Sequence, residues 1–226
     1  MDNRGLLSDR IRAAFDGCYA ARRAAALSGV PLSTVYHWAR KGIVEPSVSP
    51  TRVKLWSYAD LMGLRVVYWL RHPKQSRNRE IAASPMSQVR RALDEMESRG
   101  LDIWDDSTDE PDSPLRVDQS GRIWVQANGI VETDGQQALP EILDLLGPFE
   151  FGQLRGPDLL RPRPRLRIIP GKMSGEPHLA GSRITTQVAA ALYEHIPDVG
   201  RIAGLYAGVD AGMFEEAIEF ERSLAA

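Results

Sequence analysis

The chain has one cysteine, Cys18, and only four histidines among its 226 residues. A single thiol excludes an internal disulfide framework and a multi-thiolate zinc site, and four scattered histidines do not supply the missing ligands. No run of about eighteen apolar residues occurs, as a membrane-spanning helix requires, and the polar N-terminal residues are unlike a secretory leader. The sequence therefore predicts a cytoplasmic protein that holds no metal and no cofactor.

Charge is unevenly distributed along the chain, although the formal net charge is only −2. Residues 1–80 carry +8, residues 81–160 carry −10, and residues 161–226 are neutral overall. A basic segment followed by an acidic one is expected when one part of a protein meets a polyanion and another does not. The chain is 43% hydrophobic, which is enough to build a packed core.

Two short helices are predicted in the basic segment. Residues 20–28 are rich in helix formers, and Gly29 and Pro31 interrupt them. A second helix is predicted over residues 32–41, where Val35 and Trp38 lie on one face. The small residues before the turn, the turn glycine and the apolar residues after it have the spacing of a helix-turn-helix.

A loop and a third helix follow. Residues 43–56 contain two prolines and alternating β-branched residues, which predict a two-stranded wing, and Ser57 is expected to cap the next helix. The run R-x-A-A-A-L-S-G-V-P-x-S-T-V-Y-H-W-x-R-K-G-I, followed by K-x-W-S-x-x-D-L, resembles the winged helix-turn-helix of MerR-type regulators across residues 19–70.

This resemblance implies that the second helix approaches the major groove of DNA and that the wing contacts phosphates. The implied DNA-binding residues are Ser33, Thr34, Tyr36, His37, Arg40, Lys41, Arg52 and Lys54. MerR-type proteins commonly carry an arginine where Tyr36 stands, a departure that affects base recognition more than phosphate contacts. The alternative is that the helix pair packs as a protein-interaction module.

The acidic middle segment predicts a helix from Pro85 to Gly100, a hairpin over residues 115–133 with a turn at Ser120-Gly121, and a helix over residues 136–146. Residues 105–114 are rich in carboxylates, proline and serine, which favours a solvated loop over a metal site. Prolines and Gly100 interrupt the long coiled coil typical of MerR-type dimers. A dimer is still expected, formed in another way.

Residues 152–167 alternate proline with arginine. This pattern predicts an extended arm suited to lying on a partner, while a plain linker or the first strand of the next domain fits the same residues. The arm carries Arg161, Arg163, Arg165 and Arg167.

The last segment begins with the loop G-E-P-H-L-A-G-S-R-I-T-T, residues 175–186. Thr185 or Thr186 is expected to cap a helix over residues 187–194, a second short helix follows to Tyr206, and Asp210 caps a third. Arg183 is interpreted as a structural fork bonding loop carbonyls, and His178 as a loop filler rather than a base.

The loop and the helices after it resemble a VapB-like antitoxin family over residues 168–224. Its members show G-x-P-x-I-x-G-T-R-I, and the matching positions here include Gly175, Pro177, Gly181 and Arg183. The resemblance implies a type II antitoxin that acts as a homodimer, represses its own operon and neutralises a small ribonuclease with magnesium-binding carboxylates. The arm arginines are then candidates to enter that acidic site in place of the metal.

The sequence thus predicts a mainly α fold with small β-hairpins. Its segments are a winged helix-turn-helix over 1–80, an acidic connecting or dimerisation module over 81–151, an arm over 152–167 and a helical antitoxin-like domain over 168–226. No nucleophile–base pair, metal cluster or phosphate-binding glycine loop is found, so an enzyme is not expected. The alternative function is a stand-alone MerR-like regulator that senses a ligand.

Overall fold

The computed structural model describes residues 3–76, 79–101, 114–118, 120–125, 149–151 and 154–225. Within these residues the protein is mainly helical with small antiparallel two-stranded sheets, which confirms the predicted fold class. The predicted helix over 136–146 and the carboxylate-rich loop, apart from Pro114, lie outside the described residues. Among the residues described, no helix has the length and apolar character needed to cross a membrane.

The helices of the described residues are α1 Asn3–Asp16, α2 Ala21–Ser28, α3 Leu32–Arg40, α4 Tyr58–Leu70, α5 Met86–Arg99, α6 Thr186–His195, α7 Val199–Ala203 and α8 Ala211–Ala225. The predicted caps at Thr185 and Asp210 are confirmed, because each side chain accepts a hydrogen bond from a backbone N–H in the first turn of the following helix. Asp198 caps α7 in the same way, by accepting from the backbone N–H of Arg201. Helix α1 was not predicted from the sequence.

The strands pair in antiparallel twos. In chain order they are β1 Tyr19–Ala20, β2 Leu55–Trp56, β3 Lys74–Ser76, β4 Arg79–Ile81, β5 Leu115–Val117, β6 Ile123–Val125, β7 Phe149–Phe151, β8 Leu154–Gly156, β9 Leu166–Arg167 and β10 His178–Leu179. The pairs are β1 with β2, β3 with β4, β5 with β6, β7 with β8, and β9 with β10. The β5–β6 pair is the hairpin predicted around Ser120-Gly121. Residues 126–133 of that prediction lie outside the described residues.

The predicted two-stranded wing is present only in reduced form. Within residues 43–56 one bridge joins Ser49 to Leu55, and strand β2 pairs instead with β1, which lies at the start of α2. The alternation of β-branched residues within residues 43–56 carries no information about a strand as distant as β1. The pattern could therefore indicate strands but not their pairing.

The chain forms two compact units. Unit 1 comprises Met1–Tyr36, Pro46–Tyr58 and Leu146–Ala226, and unit 2 comprises His37–Glu45 and Ala59–Leu145. Unit 1 therefore takes residues from both ends of the chain. The sequence predicted four consecutive segments with different functions. That division of functions stays a prediction.

Each unit has its own apolar core. Fully buried side chains in unit 1 include Tyr19, Leu27, Trp56, Leu159, Leu166, Phe214 and Phe220. In unit 2 they include Leu61, Met62, Leu64, Leu70 and Val89, with Met96 also inside. The second helix of the last segment, predicted to run to Tyr206, ends at Ala203, and Leu205 beyond its end is 64% exposed.

Candidate nucleic-acid interface

Helices α2 and α3 are joined by a tight turn. Gly29 ends α2 with a φ of 72°, a left-handed conformation that a side chain disfavours. The carbonyl of Pro31 then accepts hydrogen bonds from the backbone N–H groups of Thr34 and Val35, at 2.8 and 3.0 Å, and so starts α3. The turn chemistry proposed from the sequence is therefore found at those residues.

Helix α3 has one apolar and one polar face. Val35, Trp38 and Ala39 are buried. Most of the predicted DNA-binding residues of this helix are exposed, namely Ser33, Tyr36, His37 and Arg40. Thr34 is half-buried, and Lys41, the residue after the end of the helix, is exposed. Residues 32–41 include no acidic side chain. An exposed polar face that carries positive charge without a carboxylate is suited to the negative surface of a duplex.

Tyr36 is held by an aromatic contact. Its ring packs edge-on against Trp56 of β2, with 6.4 Å between ring centroids and 74° between ring planes. Trp56 is completely buried, whereas Tyr36 remains 42% exposed. The contact fixes the direction of the ring while leaving its outer edge accessible, so Tyr36 presents a pre-oriented hydroxyl and aromatic edge.

The reduced wing carries two cations in different situations. Lys54 is half-buried, and its Nζ donates to the carbonyl of Pro50 at 2.7 Å, closing the loop on itself. Arg52 and Val53 lie at the exposed part of the same loop, and Val53 is 65% exposed. Within the part of the chain that the structure describes, Arg52 has no carboxylate partner. Arg52 is therefore the wing cation available for a phosphate.

The loop that carries the antitoxin-like motif has a structural role in unit 1 that involves helix α2. The Arg23 guanidinium donates to Glu176 at 2.9 Å and makes two 2.9 Å hydrogen bonds to the Glu221 carboxylate of α8. The Thr186 hydroxyl also contacts Glu221. Burial raises the pKa of Glu176, and the charge of Arg23 opposes that rise. We call Arg23, Glu176, Thr186 and Glu221 the buried arginine cluster.

Gly175, at the start of the motif, is in direct contact with the residues before α2. Its carbonyl accepts a hydrogen bond from the Tyr19 hydroxyl at 2.8 Å, and its φ is 70°. A Cβ there would lie 2.7 Å from the carbonyl oxygen of Asp16 and would also meet the Tyr19 hydroxyl. Burial raises the pKa of Tyr19, so this phenol remains a donor.

The other motif positions differ in their surroundings. The Pro177 carbonyl accepts from the Thr186 N–H at 2.8 Å, which closes the loop onto α6. Gly181 is exposed with a φ of 74°. Arg183 is exposed, and among the described residues its guanidinium has no hydrogen-bond or ion-pair partner. The structural fork expected at Arg183 is therefore not found. The arginine that joins this loop to α2 and α8 is Arg23, for which no role was predicted, and it does so through carboxylates rather than carbonyls.

The four arm arginines are not equivalent. Arg165 pairs with Asp210 at 2.7 Å, Arg163 lies over the ring of Phe220, and Arg167 donates to carbonyls of its own segment. Arg161 is exposed and its guanidinium has no partner among the described residues, although its backbone N–H bonds to Asp158. The sequence left three possibilities for residues 152–167: an extended arm, a plain linker or the first strand of the next domain. The end of this segment is a strand, because β9 pairs with β10.

His178 is completely buried in β10, and its surroundings favour the neutral ring. Its Nδ1 lies 3.0 Å from the carbonyl oxygen of Glu176, so Nδ1 carries the hydrogen, and Nε2 is buried without a partner among the described residues. Burial lowers the pKa of His178, and the nearby charges of Lys172 and Arg167 lower it further.

We expect the protein to lose stability on acidification through His178. Below the ordinary histidine pKa of about 6.5, the unfolded chain binds a proton at His178 that the folded chain does not bind. The free energy of unfolding therefore rises with pH in that range, by at most about 1.4 kcal/mol per pH unit. Urea unfolding at pH 7.5 and 5.5 measures the difference. The difference in the free energy of unfolding between the two pH values should shrink in His178→Asn. It should persist in His195→Gln, because His195 is exposed. An equal decrease in both variants contradicts the role of His178.

The described residues thus contain an exposed, acid-free helix face, a wing cation and a buried arginine cluster. Protein-family models, curated proteins and solved structures were compared with the chain, and none of them matches it.

Proposed function

We propose that the chain is a DNA-binding antitoxin that acts in the cytoplasm, represses its own operon as a homodimer and neutralises a small ribonuclease. The observation that carries the DNA-binding part is the exposed face of α3, where Ser33, Tyr36, His37 and Arg40 face solvent without a carboxylate on the helix. The +8 charge of residues 1–80 supports the same assignment.

Arg40 and Arg52 are expected to contribute in different ways. Arg40 lies on the proposed recognition helix, so Arg40→Ala is expected to weaken binding to the operator by about tenfold while affecting unrelated DNA less. Arg52 lies on the wing and is assigned to a phosphate, so Arg52→Ala weakens binding to all sequences alike and lowers the salt slope by about one unit.

The measurement is fluorescence anisotropy with a duplex from upstream of the chain's own gene and with a scrambled duplex, at several salt concentrations. Arg201→Gln is the matched control, because Arg201 is an exposed arginine on α7. This variant should bind DNA like the parent protein. Affinity that does not change with salt, or equal loss in the control, contradicts DNA binding through α3. If the helix pair serves only as a protein-interaction module, the affinity for DNA is not expected to change with salt.

The antitoxin part rests on the resemblance of residues 168–224 and on the free guanidinium of Arg161. Since Arg163, Arg165 and Arg167 are engaged within unit 1, Arg161 is the arm residue best placed to reach the acidic site of a ribonuclease. Co-purification of the product of the adjacent gene with the full chain tests this. Arg161→Ala should relieve inhibition of the ribonuclease more than Arg222→Ala, an exposed control on α8.

The alternative function has its own distinct outcome in the same experiment. A stand-alone regulator that senses a ligand binds the operator in the anisotropy assay but captures no product of the adjacent gene. DNA binding without toxin capture therefore favours the regulator, and toxin capture favours the antitoxin.

A further inference from the structure

Unit 2 contains a groove that neither DNA binding nor toxin capture uses. Helix α5 forms one wall and strand β6 the other, and the volume is about 270 Å³. The groove is lined by one face of α5 and by residues 122–125 of the hairpin. This volume lies just below the range of ordinary small-molecule sites, so an occupant has to be small.

The lining is rich in positive charge, although the surrounding segment is acidic. Among the lining residues that the structure describes, three arginines are opposed by one carboxylate, that of Glu95, which pairs with Arg99 at 2.6 Å one helical turn away. Among the described residues, Arg91 and Arg122 have no carboxylate partner for their guanidinium groups. Two uncompensated cations on facing walls favour an anionic occupant.

The two free cations are placed differently. Arg122 lies over the indole ring of Trp124, with its guanidinium carbon 4.3 Å from the ring centroid, and this stacking restricts its position. Arg91 reaches the groove from α5, on the face it shares with Gln88 and Glu95. The Oε1 of Gln88 is buried without a partner among the described residues, so it can accept a hydrogen bond from an O–H or N–H group on the organic part of a ligand.

We propose that this groove binds a small organic phosphate. The three terminal oxygens of a phosphate monoester diverge, so one group can accept hydrogen bonds from guanidiniums on two opposite walls, whereas a planar carboxylate is best matched by a single guanidinium fork. The apolar side chains of Ala92, Ile123 and Val125 at the same groove provide contact for the organic part of the ligand. The inference stands on unit 2 alone and does not depend on DNA binding.

Isothermal titration of the full chain with adenosine monophosphate, inorganic phosphate, malate and adenosine tests the proposal. Saturable binding of one adenosine monophosphate per chain is expected, with weaker binding of phosphate and malate and none of adenosine. Arg91→Gln and Arg122→Gln should each weaken binding by at least about tenfold, because each removes a charge-assisted hydrogen bond.

Arg90→Gln is the matched control, since Arg90 is the exposed neighbour of Arg91 on α5 and does not line the groove. It should bind like the parent, and circular dichroism checks that all variants are folded. The proposal is overturned if adenosine binds as tightly as its monophosphate, if malate binds more tightly, if the control loses affinity equally, or if nothing saturates. Displacement of the nucleotide by scrambled duplex DNA would assign the cations to nucleic acid and also overturn it.

Discussion

Replacement of Arg23 with alanine is expected to lower the free energy of unfolding by about 3–5 kcal/mol. The substitution leaves Glu176 and Glu221 facing each other with their shared cation removed, and both carboxylates are largely buried, with 18% and 16% of their side chains exposed. Buried carboxylates without a partner are destabilising because burial favours the neutral form. Urea unfolding monitored by circular dichroism measures the loss.

Arg22→Ala provides the control for this prediction. Arg22 precedes Arg23 on the same helix but is exposed, so its removal should change stability by less than about 0.5 kcal/mol. The loss in Arg23→Ala should also be smaller at pH 5 than at pH 8. Without the charge of Arg23, which opposes the rise in the pKa of Glu176 caused by burial, Glu176 binds its proton more tightly in the folded chain than in the unfolded chain. The stability of the variant therefore falls as pH rises. Equal losses at both pH values, or equal losses in both variants, contradict the buried arginine cluster.

Gly175→Ala is expected to cost about 3 kcal/mol of stability. An alanine at a φ of 70° adopts a left-handed conformation that disfavours a side chain, by about 1–2 kcal/mol. The new methyl group would also lie 2.7 Å from the Asp16 carbonyl oxygen, which belongs to the backbone and cannot rotate away. Displacing this contact adds a further cost of about 1–3 kcal/mol.

Gly181→Ala separates these two contributions. Gly181 has a similar φ of 74°, but nothing lies within 4 Å of the position that its Cβ would take. We expect this control to lose only the backbone contribution, about 1–2 kcal/mol. Thermal or urea unfolding of both variants provides the comparison. If Gly181→Ala proves as destabilising as Gly175→Ala, then backbone strain alone accounts for both and the close approach to Asp16 has no effect.

The sequence predicted those elements whose signals are local. Gly29 and Pro31 marked the turn between α2 and α3, Ser120-Gly121 marked the hairpin, and Thr185 marked the start of α6, because turn and cap residues act through the nearest backbone groups. The polar face of α3 was likewise predictable, since the periodicity of a helix assigns its faces without knowledge of the rest of the chain.

What the sequence did not reveal depends on residues far apart along it. Arg23 meets Glu176 and Glu221 across 153 and 198 positions, and no periodicity or spacing relates such residues in a single sequence. The same reason explains why β2 pairs with β1 rather than with a neighbouring strand of the wing. The groove between α5 and β6 was not predictable either, because its two walls meet only when α5 packs on the hairpin.

The composition of unit 1 has a consequence for the order of events during synthesis. Helix α2 leaves the ribosome long before α8, because Arg23 and Glu221 are separated by 198 positions. At 5–20 residues per second the arginine waits roughly 10–40 s for its second carboxylate. During that interval the guanidinium of Arg23 lacks at least one of its two carboxylates, and the face of α2 that is buried in unit 1 is not yet covered by α8. The core of unit 1 therefore stays incomplete until α8 has been synthesised.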